Sequence, residues 1–227
     1  MVKKKSSYSA PLKLYLIRHG ETEWSITGQH TGRTDLALTA AGEDEVRQLS
    51  PRLSGATFSH LLTSPLKRAQ RTCALVGLNG NPEIEPDLIE WNYGDYDGLT
   101  TEEIREQRPD WNVFCDGCPN GELPAEVASR ADRLITHLRQ LEGNVALFTH
   151  GHFGRVLAAR WIGLPITEGE HFQLDTGSLS ILGIDADHAD APMIELWNAT
   201  PPQAAESEGI TSIERWENEG GEISRKQ

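Results

Sequence analysis

Short apolar runs recur along this chain, separated by stretches in which an apolar residue returns every three or four positions. A short continuous run is typical of a buried strand, whereas the longer spacing is typical of an amphipathic helix. The pattern predicts five strands, over residues 12–17, 58–63, 145–148, 179–184 and 193–197.

The first two helices are predicted where caps and apolar spacing coincide. Thr39 has the residue type and position of an N-cap. The apolar stripe that follows it consists of Val46, Leu49 and Leu53. Ser64 is predicted to cap the next helix, with Pro65 at its first position, and that helix reaches about Leu78.

Two more helices are predicted in the middle of the chain. Thr100 and Glu103 have the spacing of a capping box, which predicts a short acidic helix ending before Pro109. Apolar residues then recur over 124–142, which predicts a full amphipathic helix ended by Gly143.

The alternation of these elements predicts an α/β fold, a three-layer α/β/α sandwich with a mainly parallel central sheet. Residues 87–89 add a brief strand or extended link, and 154–161 add a helix. We expect one domain over residues 12–202, a flexible basic tail over 1–11 and a mobile acidic tail over 203–227.

Charge narrows the range of partners. The 227 residues carry a formal net charge of −13, and residues 83–126 hold thirteen acidic side chains against two basic ones. Nucleic acids and anionic membranes normally require a basic surface, so we expect neither as a partner. Residues 13–72, by contrast, hold eight basic and six acidic side chains.

Cysteine content and hydropathy predict a cytoplasmic protein. Cys73, Cys115 and Cys118 are too few for a disulfide framework, and Cys115 and Cys118 lack the second pair of a zinc site. The first ten residues lack the apolar core of a secretory signal, and no apolar run approaches the roughly 20 residues of a membrane span.

The candidate catalytic residues follow the ends of the predicted strands. Arg18 and His19 follow the first strand, and Arg68 lies in the helix after the second. Glu90 follows the brief strand, and His150 follows the strand at 145–148. Active sites of open α/β sheets collect outside the carboxyl ends of strands, so these side chains are expected to meet.

Such a set suits phosphoryl transfer through a covalent histidine. A neutral imidazole is nucleophilic, and guanidinium groups bind phosphate oxygens. A carboxylic acid can protonate the leaving oxygen and then accept a proton from water.

Four motifs resemble those of the histidine phosphatase superfamily, the phosphoglycerate-mutase-like proteins. Leu-Ile-Arg-His-Gly-Glu-Thr at 16–22 resembles its first signature. The segments 64–72, 90–98 and 149–152 resemble the second, third and fourth, in the same order. The resemblance extends over residues 12–200 and implies a phosphoglycerate-mutase-like fold.

The resemblance also implies residue roles. His19 is the residue that becomes phosphorylated, Arg18, Arg68 and His150 form the phosphate pocket, and Glu90 is the proton donor. It implies a small phosphorylated metabolite as the partner and no cofactor.

Within the superfamily, the segments 23–36 and 116–122 resemble the sedoheptulose-1,7-bisphosphatase branch. In that branch these segments line the sugar-phosphate site. The match implies substrate contacts from Ser25, Gln29, His30, Thr31, Tyr93 and His152. Ser25 stands where mutases usually carry Asn.

A metal site is the alternative interpretation of His150 and His152, because histidine is the commonest metal ligand. A third and fourth ligand at suitable spacing are missing, and the arginines would repel a cation. We therefore expect no metal.

Three functions remain open. The first is a cofactor-free phosphatase acting on a sugar phosphate or bisphosphate, and the second is a phosphoglycerate mutase. Only 60 positions separate Glu90 from His150, fewer than mutases of the superfamily usually have, which favours a wetter site and hydrolysis. The third is a catalytically silent protein that binds phosphorylated ligands, which would require neither a nucleophile nor an acid.

Overall fold

A computed structural model describes residues 11–185, 188 and 190–201. The tails predicted over 1–11 and 203–227 lie outside the described residues, except for Pro11. None of the helices in the described part is both long and apolar enough to cross a membrane.

One six-stranded sheet organises the described residues. Its strands are β1 (Lys13–Arg18), β2 (Phe58–Thr63), β3 (Glu83–Ile84), β4 (Asn144–Thr149), β5 (Leu179–Asp185) and β6 (Ala191–Ala199). The order across the sheet is β3-β2-β4-β1-β5-β6. The first four strands in that order are parallel to one another. Strand β5 runs antiparallel to β1, and β6 runs antiparallel to β5. The predicted mainly parallel sheet is confirmed.

Helices fill the connections. They are α1 (Glu23–Thr27), α2 (Ala40–Arg47), α3 (Ser50–Leu53), α4 (Lys67–Val76), α5 (Thr101–Gln107), α6 (Val113–Asp116), α7 (Pro124–Leu138) and α8 (Gly151–Trp161). Three short 3-10 turns lie at Pro86–Leu88, Gly94–Tyr96 and Ile166–His171.

The sheet separates two cores, as the three-layer prediction requires. On one face, buried side chains of the strands such as Leu16 and Leu147 pack against α5, α6, α7 and α8. On the other face, Ile17 and Phe148 pack against α2, α3 and α4. Successive residues of β1 and β4 thus face opposite layers, the period of two that a strand imposes.

Two predicted caps are confirmed. The Thr39 hydroxyl accepts a hydrogen bond from the Gly42 N–H at the start of α2. Thr100 and Glu103 form a capping box at the start of α5. The apolar stripe after Thr39 is divided, however, because α2 ends at Arg47 and the short α3 follows.

The predicted cap at Ser64 is wrong. Leu66 is the N-cap of α4, which ends at Val76 rather than Leu78. Gly77 follows with φ of +70°, the left-handed conformation that commonly ends a helix. The Ser64 hydroxyl instead forms a hydrogen bond with His150, which follows β4, the neighbour of β2 in the sheet.

Several strand ends differ from the prediction by one or two residues, and three larger differences concern other elements. Helix α7 ends at Leu138, short of the predicted 142, and α8 begins at Gly151 rather than Gly154. Residues 87–89 do not form a strand: a 3-10 turn occupies Pro86–Leu88, and the short strand of this region is β3.

The turn after β1 lies directly against the first turn of α2, and glycine makes this approach possible. A Cβ added at Gly42 would lie 2.3 Å from the Glu21 carbonyl oxygen. A Cβ added at Gly20 would lie 2.5 Å from the Gly42 carbonyl oxygen. The sheet edge that carries His19 is therefore packed against α2 through backbone atoms.

We expect Gly42→Ala to lower the free energy of unfolding by about 1–3 kcal/mol through this overlap, although alanine is the better helix former. Urea denaturation measures the change. Gly55→Ala is the matched control, because an added Cβ there meets no atom within 4 Å. Equal stability of the two variants would contradict the packing argument.

Candidate active site

The carboxyl ends of β1, β4 and β2 lie side by side, and the predicted residues gather there. Arg18 ends β1 and His19 follows it, while His150 directly follows β4. Arg68 lies in the first turn of α4, after β2. The His19 N–H donates to the carbonyl oxygen of Thr149 at 3.0 Å, which joins two of these strand ends.

The His19 ring has a defined tautomer. Its Nδ1 lies 2.8 Å from the Gly20 carbonyl oxygen, which can only accept, so Nδ1 carries the proton. The lone pair is therefore on Nε2, to which the Nε–H of Arg68 donates at 3.3 Å. His19 is 4% exposed, so this unprotonated nitrogen lies in a largely dry site.

Arg68 is fully buried and joins the two strand-end histidines. Its Nε–H also donates to Nδ1 of His150, at 3.2 Å. Its two Nη atoms donate to carbonyl oxygens of residues 31–34, at 2.9 to 3.0 Å. The guanidinium is thus fixed on one side by backbone and points its Nε–H between two imidazoles.

His150 has the tautomer opposite to that of His19. Since its Nδ1 accepts from Arg68, its Nε2 carries the proton and donates to the Ser64 hydroxyl at 2.7 Å. The same hydroxyl also accepts from the Leu66 N–H at 3.3 Å, but α4 begins only at Lys67, so Ser64 lies before the cap position. The rings of His150 and His19 are 5.2 Å apart, centroid to centroid.

Arg18 supplies the second guanidinium. Its Nη1 donates to the Leu174 carbonyl oxygen, and its side chain is 4% exposed. Gly151 packs against it so closely that an added Cβ would lie 3.1 Å from the Arg18 Cζ. The Gly of the fourth motif therefore makes room for the Arg of the first.

Glu90 lies at the N-terminus of α8 and is almost fully buried. Its Oε1 accepts from the backbone N–H groups of Trp91 and Phe153, both at 2.8 Å. Its Oε2 accepts one N–H, from His152, at 3.1 Å. Oε2 has the fewer donors, which makes it the oxygen on which a proton is best tolerated.

Burial controls the protonation of these groups. It lowers the pKa values of His19 and His150 well below 6.5, and the positive charges of Arg68 and Arg18 lower them further. Burial raises the pKa of Glu90, against the opposing effects of its backbone hydrogen bonds and of the two arginines. The pattern favours neutral imidazoles, and it makes the Glu90 carboxyl group hold a proton more readily than an exposed glutamate does.

Arg68 stays charged in this environment. Burial lowers its pKa to about 10, and the negative charge of Glu90 is the largest of the effects that oppose this decrease. The site therefore holds a buried positive charge next to unprotonated imidazole nitrogens and next to a carboxyl group whose pKa is raised.

A pocket that is open to solvent meets this cluster. Its wall contains the six predicted substrate contacts Ser25, Gln29, His30, Thr31, Tyr93 and His152. Arg18, His19 and Glu90 also lie on the wall, whereas Arg68 and His150 are fully buried against His19.

Hydrogen bonds to neighbouring protein groups hold the side chains of two of these six residues. The Ser25 hydroxyl completes a capping box with Thr22. The Gln29 side chain donates to the Gly98 carbonyl oxygen at 2.7 Å and accepts from the Thr27 hydroxyl at 2.6 Å. These contacts fix the shape of the wall near the end of α1.

Aromatic residues form the opposite wall. The Tyr93 hydroxyl and His152 Nδ1 are 2.5 Å apart, and the His30 ring lies 4.8 Å from that of Tyr93. Trp111 packs edge-on against His30, with 5.4 Å between centroids. This part of the wall is therefore aromatic and carries hydroxyl and imidazole groups that can hydrogen-bond to hydroxyls.

Comparison with known families agrees with this geometry. The family model described as the histidine phosphatase superfamily (branch 1) matches residues 14–200. The chain belongs to this superfamily. The predicted family, fold and enzyme class are thereby confirmed.

Relatives of this histidine phosphatase include phosphatases with different names. An acid phosphatase of Mycobacterium tuberculosis is 39% identical over 85% of this chain and 97% of its own length. A sedoheptulose 1,7-bisphosphatase of Saccharomyces cerevisiae is 30% identical over 86% and 96%. A solved structure of a Mycobacterium tuberculosis open reading frame superposes with a TM-score of 0.79 at 37% identity, covering 83% of this chain and 98% of that one.

Sequence reasoning missed Arg130, a charged residue on the buried face of α7. It donates to the carbonyl oxygens of Asp87 and Ile89 and to both carboxylate oxygens of Glu122, at 2.6 to 3.1 Å. It thus holds the segment that leads into Glu90. Its place beside Val127 in the apolar stripe was the available signal, because an arginine in such a stripe needs partners.

His150 and His152 were considered as metal ligands in the sequence. Among the described residues, no group of three or more His, Cys, Asp or Glu side chains is arranged to hold a metal ion. Cys115 and Cys118 are both free thiols.

Because His19 and His150 are held neutral, acid should destabilise this histidine phosphatase. Below pH 6.5 the unfolded chain binds protons at these positions that the folded state does not, so stability falls as pH falls. Between pH 7 and pH 5, His150→Gln should reduce this loss by up to about 2 kcal/mol.

Urea denaturation of both proteins at the two pH values checks this expectation. Glu90 acts in the opposite direction above pH 4.5, since its raised pKa stabilises the fold at the lower pH, so only the difference between proteins is diagnostic. The exposed His137→Gln is the control and should leave the slope unchanged. An identical slope for His150→Gln and the wild type would refute the assignment.

Proposed function

We propose that this histidine phosphatase hydrolyses small phosphate monoesters, with a sugar phosphate or bisphosphate such as sedoheptulose 1,7-bisphosphate as its natural substrate. The observation that carries the proposal is the unprotonated Nε2 of the buried His19, held beside the Arg68 guanidinium, on the same pocket as Arg18 and the Glu90 carboxyl group, whose pKa burial raises. The cytoplasm is the proposed location.

The first step transfers the phosphoryl group to His19. Nε2 attacks the phosphorus while the bond to the ester oxygen breaks, and Glu90 gives its proton to that leaving oxygen. A phosphate oxygen competes with Nε2 for the Nε–H of Arg68, so binding of the ester releases the lone pair that attacks. Guanidinium groups then stabilise the charge on the transferred oxygens.

The second step returns the enzyme to its starting state. Water attacks the phosphorus as the bond to Nε2 breaks, and the Glu90 carboxylate takes the proton of the water. Inorganic phosphate and neutral His19 are the products. The backbone donors at the N-terminus of α8 stabilise Glu90 while it is ionised between the two steps.

The pocket wall supports a polyol as the remainder of the substrate. Hydroxyl, amide and imidazole groups of the six wall residues complement sugar hydroxyls. The yeast relative named sedoheptulose 1,7-bisphosphatase adds support, since most of both chains align. A phosphate-release screen over mono- and bisphosphorylated sugars tests this substrate class, and activity confined to non-sugar esters would exclude it.

A phosphoglycerate mutase is the competing function, because it uses the same covalent chemistry. The two are separated by assaying phosphate release and 3- to 2-phosphoglycerate conversion together. Conversion that outpaces phosphate release would replace the phosphatase proposal by the mutase.

We expect His19→Ala to abolish phosphate release from sugar phosphates, because the reaction loses its nucleophile. Phosphoenzyme trapped by acid quench should disappear in the same variant. The exposed His137→Ala should retain wild-type activity. Undiminished turnover by His19→Ala, or failure to trap phosphoenzyme from the wild type with any of a broad ester panel, would contradict the mechanism.

Glu90→Gln should separate the two steps. Turnover of sugar phosphates should fall by about 10²- to 10⁴-fold, because an alkoxide leaving group needs the proton. Nitrophenolate leaves without one, so p-nitrophenyl phosphate should give a burst of about one equivalent of product before slow turnover.

Stopped-flow absorbance measures the burst. Glu83→Gln, which alters an exposed carboxylate on β3, is the control and should behave as the wild type. Equal losses on both substrates with no burst would show that Glu90 does not act as the acid.

A further inference from the structure

A single loop, Thr31–Thr34, lies between a carboxylate and the buried guanidinium of Arg68. The Asp97 carboxylate accepts from the backbone N–H groups of Gly32, Arg33 and Thr34 at 3.0 to 3.2 Å. It also accepts from the Thr34 hydroxyl at 3.2 Å. Three consecutive N–H groups thus converge on one side chain.

The carbonyl groups of the same loop face the other way. Arg68 Nη2 donates to the carbonyl oxygens of Thr31 at 2.9 Å and Gly32 at 3.0 Å. Its Nη1 donates to that of Thr34 at 3.0 Å. Three of the five N–H groups of the guanidinium are therefore taken up by this loop.

The two sets of contacts share peptide units. The unit joining Thr31 to Gly32 gives its N–H to Asp97 and its C=O to Arg68, and so does the unit joining Gly32 to Arg33. In a trans peptide these groups point in opposite directions, so each unit bridges the two charges. Hydrogen bonds linked in this way polarise and strengthen one another.

The loop has little freedom to adopt another position. A Cβ added at Gly32 would lie 2.9 Å from both the Trp91 carbonyl oxygen and Cδ2 of Tyr93. The loop is therefore pressed against the segment that leads to Asp97, and only glycine allows the contact.

We propose that Asp97 is a positioning residue that orients the phosphate-binding guanidinium of Arg68 through these two peptide units. The inference rests on the proposed function only in taking Arg68 as a phosphate ligand. Asp97 itself lies outside the pocket wall described above. Its charge also helps to oppose the lowering of the Arg68 pKa by burial, which agrees with electrostatic contact across the loop.

Kinetics of Asp97→Asn provide the first test. The variant should lower kcat/KM by about 10- to 100-fold and weaken inhibition by vanadate by a similar factor, because a misplaced ligand loses both. Asp95→Asn is the matched control: Asp95 is exposed, lies two residues away and binds Asn120 instead of the loop. Unchanged vanadate inhibition in Asp97→Asn would overturn the proposal.

A double-mutant cycle separates positioning from general stability. In an Arg68→Lys background the fork that the loop holds is gone, so Asp97→Asn should cost less than about twofold in kcat/KM. Losses that multiply in full would show that Asp97 acts by another route and would overturn the proposal.

The Arg68 Nε–H resonance in a ¹H–¹⁵N spectrum gives a readout without turnover. Assigned by its loss in Arg68→Lys, it should shift in Asp97→Asn and stay in place in Asp95→Asn. If Asp97→Asn does not fold, Thr34→Ala removes only the hydroxyl contact and should give a smaller shift in the same direction. An unmoved resonance overturns the proposal, whereas inactivity of the wild type on every ester would count only against the proposed function.

Discussion

The Nε–H of Arg68 points between Nε2 of His19 and Nδ1 of His150, and both nitrogens accept from it. A protonated nitrogen could not accept, so this shared hydrogen bond requires both rings to be neutral where they face the guanidinium. The Gly20 carbonyl and the Ser64 hydroxyl complete the pattern from outside. The nucleophilic lone pair on Nε2 is a consequence of this arrangement, and the strand ends, the loop at 31–34 and α4 all serve to hold it.

Glu90 depends on a second, separate support. Helix α8 offers its first N–H groups to the carboxyl group, while Arg130 holds the backbone immediately before it. Burial and donors pull its protonation in opposite directions, and burial has the larger effect. A group balanced in this way can give up a proton and recover it without large rearrangement.

Much of this architecture is encoded locally and could be predicted. The strands and the caps at Thr39 and Thr100 follow from short-range patterns, and motif resemblance located the residues that meet at the sheet edge. The predicted cap at Ser64 was wrong because α4 begins only at Lys67, and no short-range pattern records the bond between the Ser64 hydroxyl and His150, 86 positions away. The role we infer for Asp97 is equally hidden, since its partners are backbone groups 63 to 65 positions earlier, which no side-chain pattern records.

The two buried guanidiniums also determine how much negative charge the site can bind. Arg18 and Arg68 carry two positive charges beside neutral imidazoles, and in the proposed reaction Glu90 is protonated when the ester binds, so a phosphate monoester dianion enters this site without burying net charge. In the proposed covalent step the phosphoryl group keeps two negative charges, Glu90 gains one by giving up its proton, and the His19 ring, now bonded at both nitrogens, gains one positive charge, so the total charge of the site is unchanged. A phosphodiester brings only one negative charge, which leaves a guanidinium uncompensated where an unpaired buried charge costs several kcal/mol. In the proposed reaction, the protein selects monoesters over diesters by electroneutrality, before any contact with the rest of the substrate.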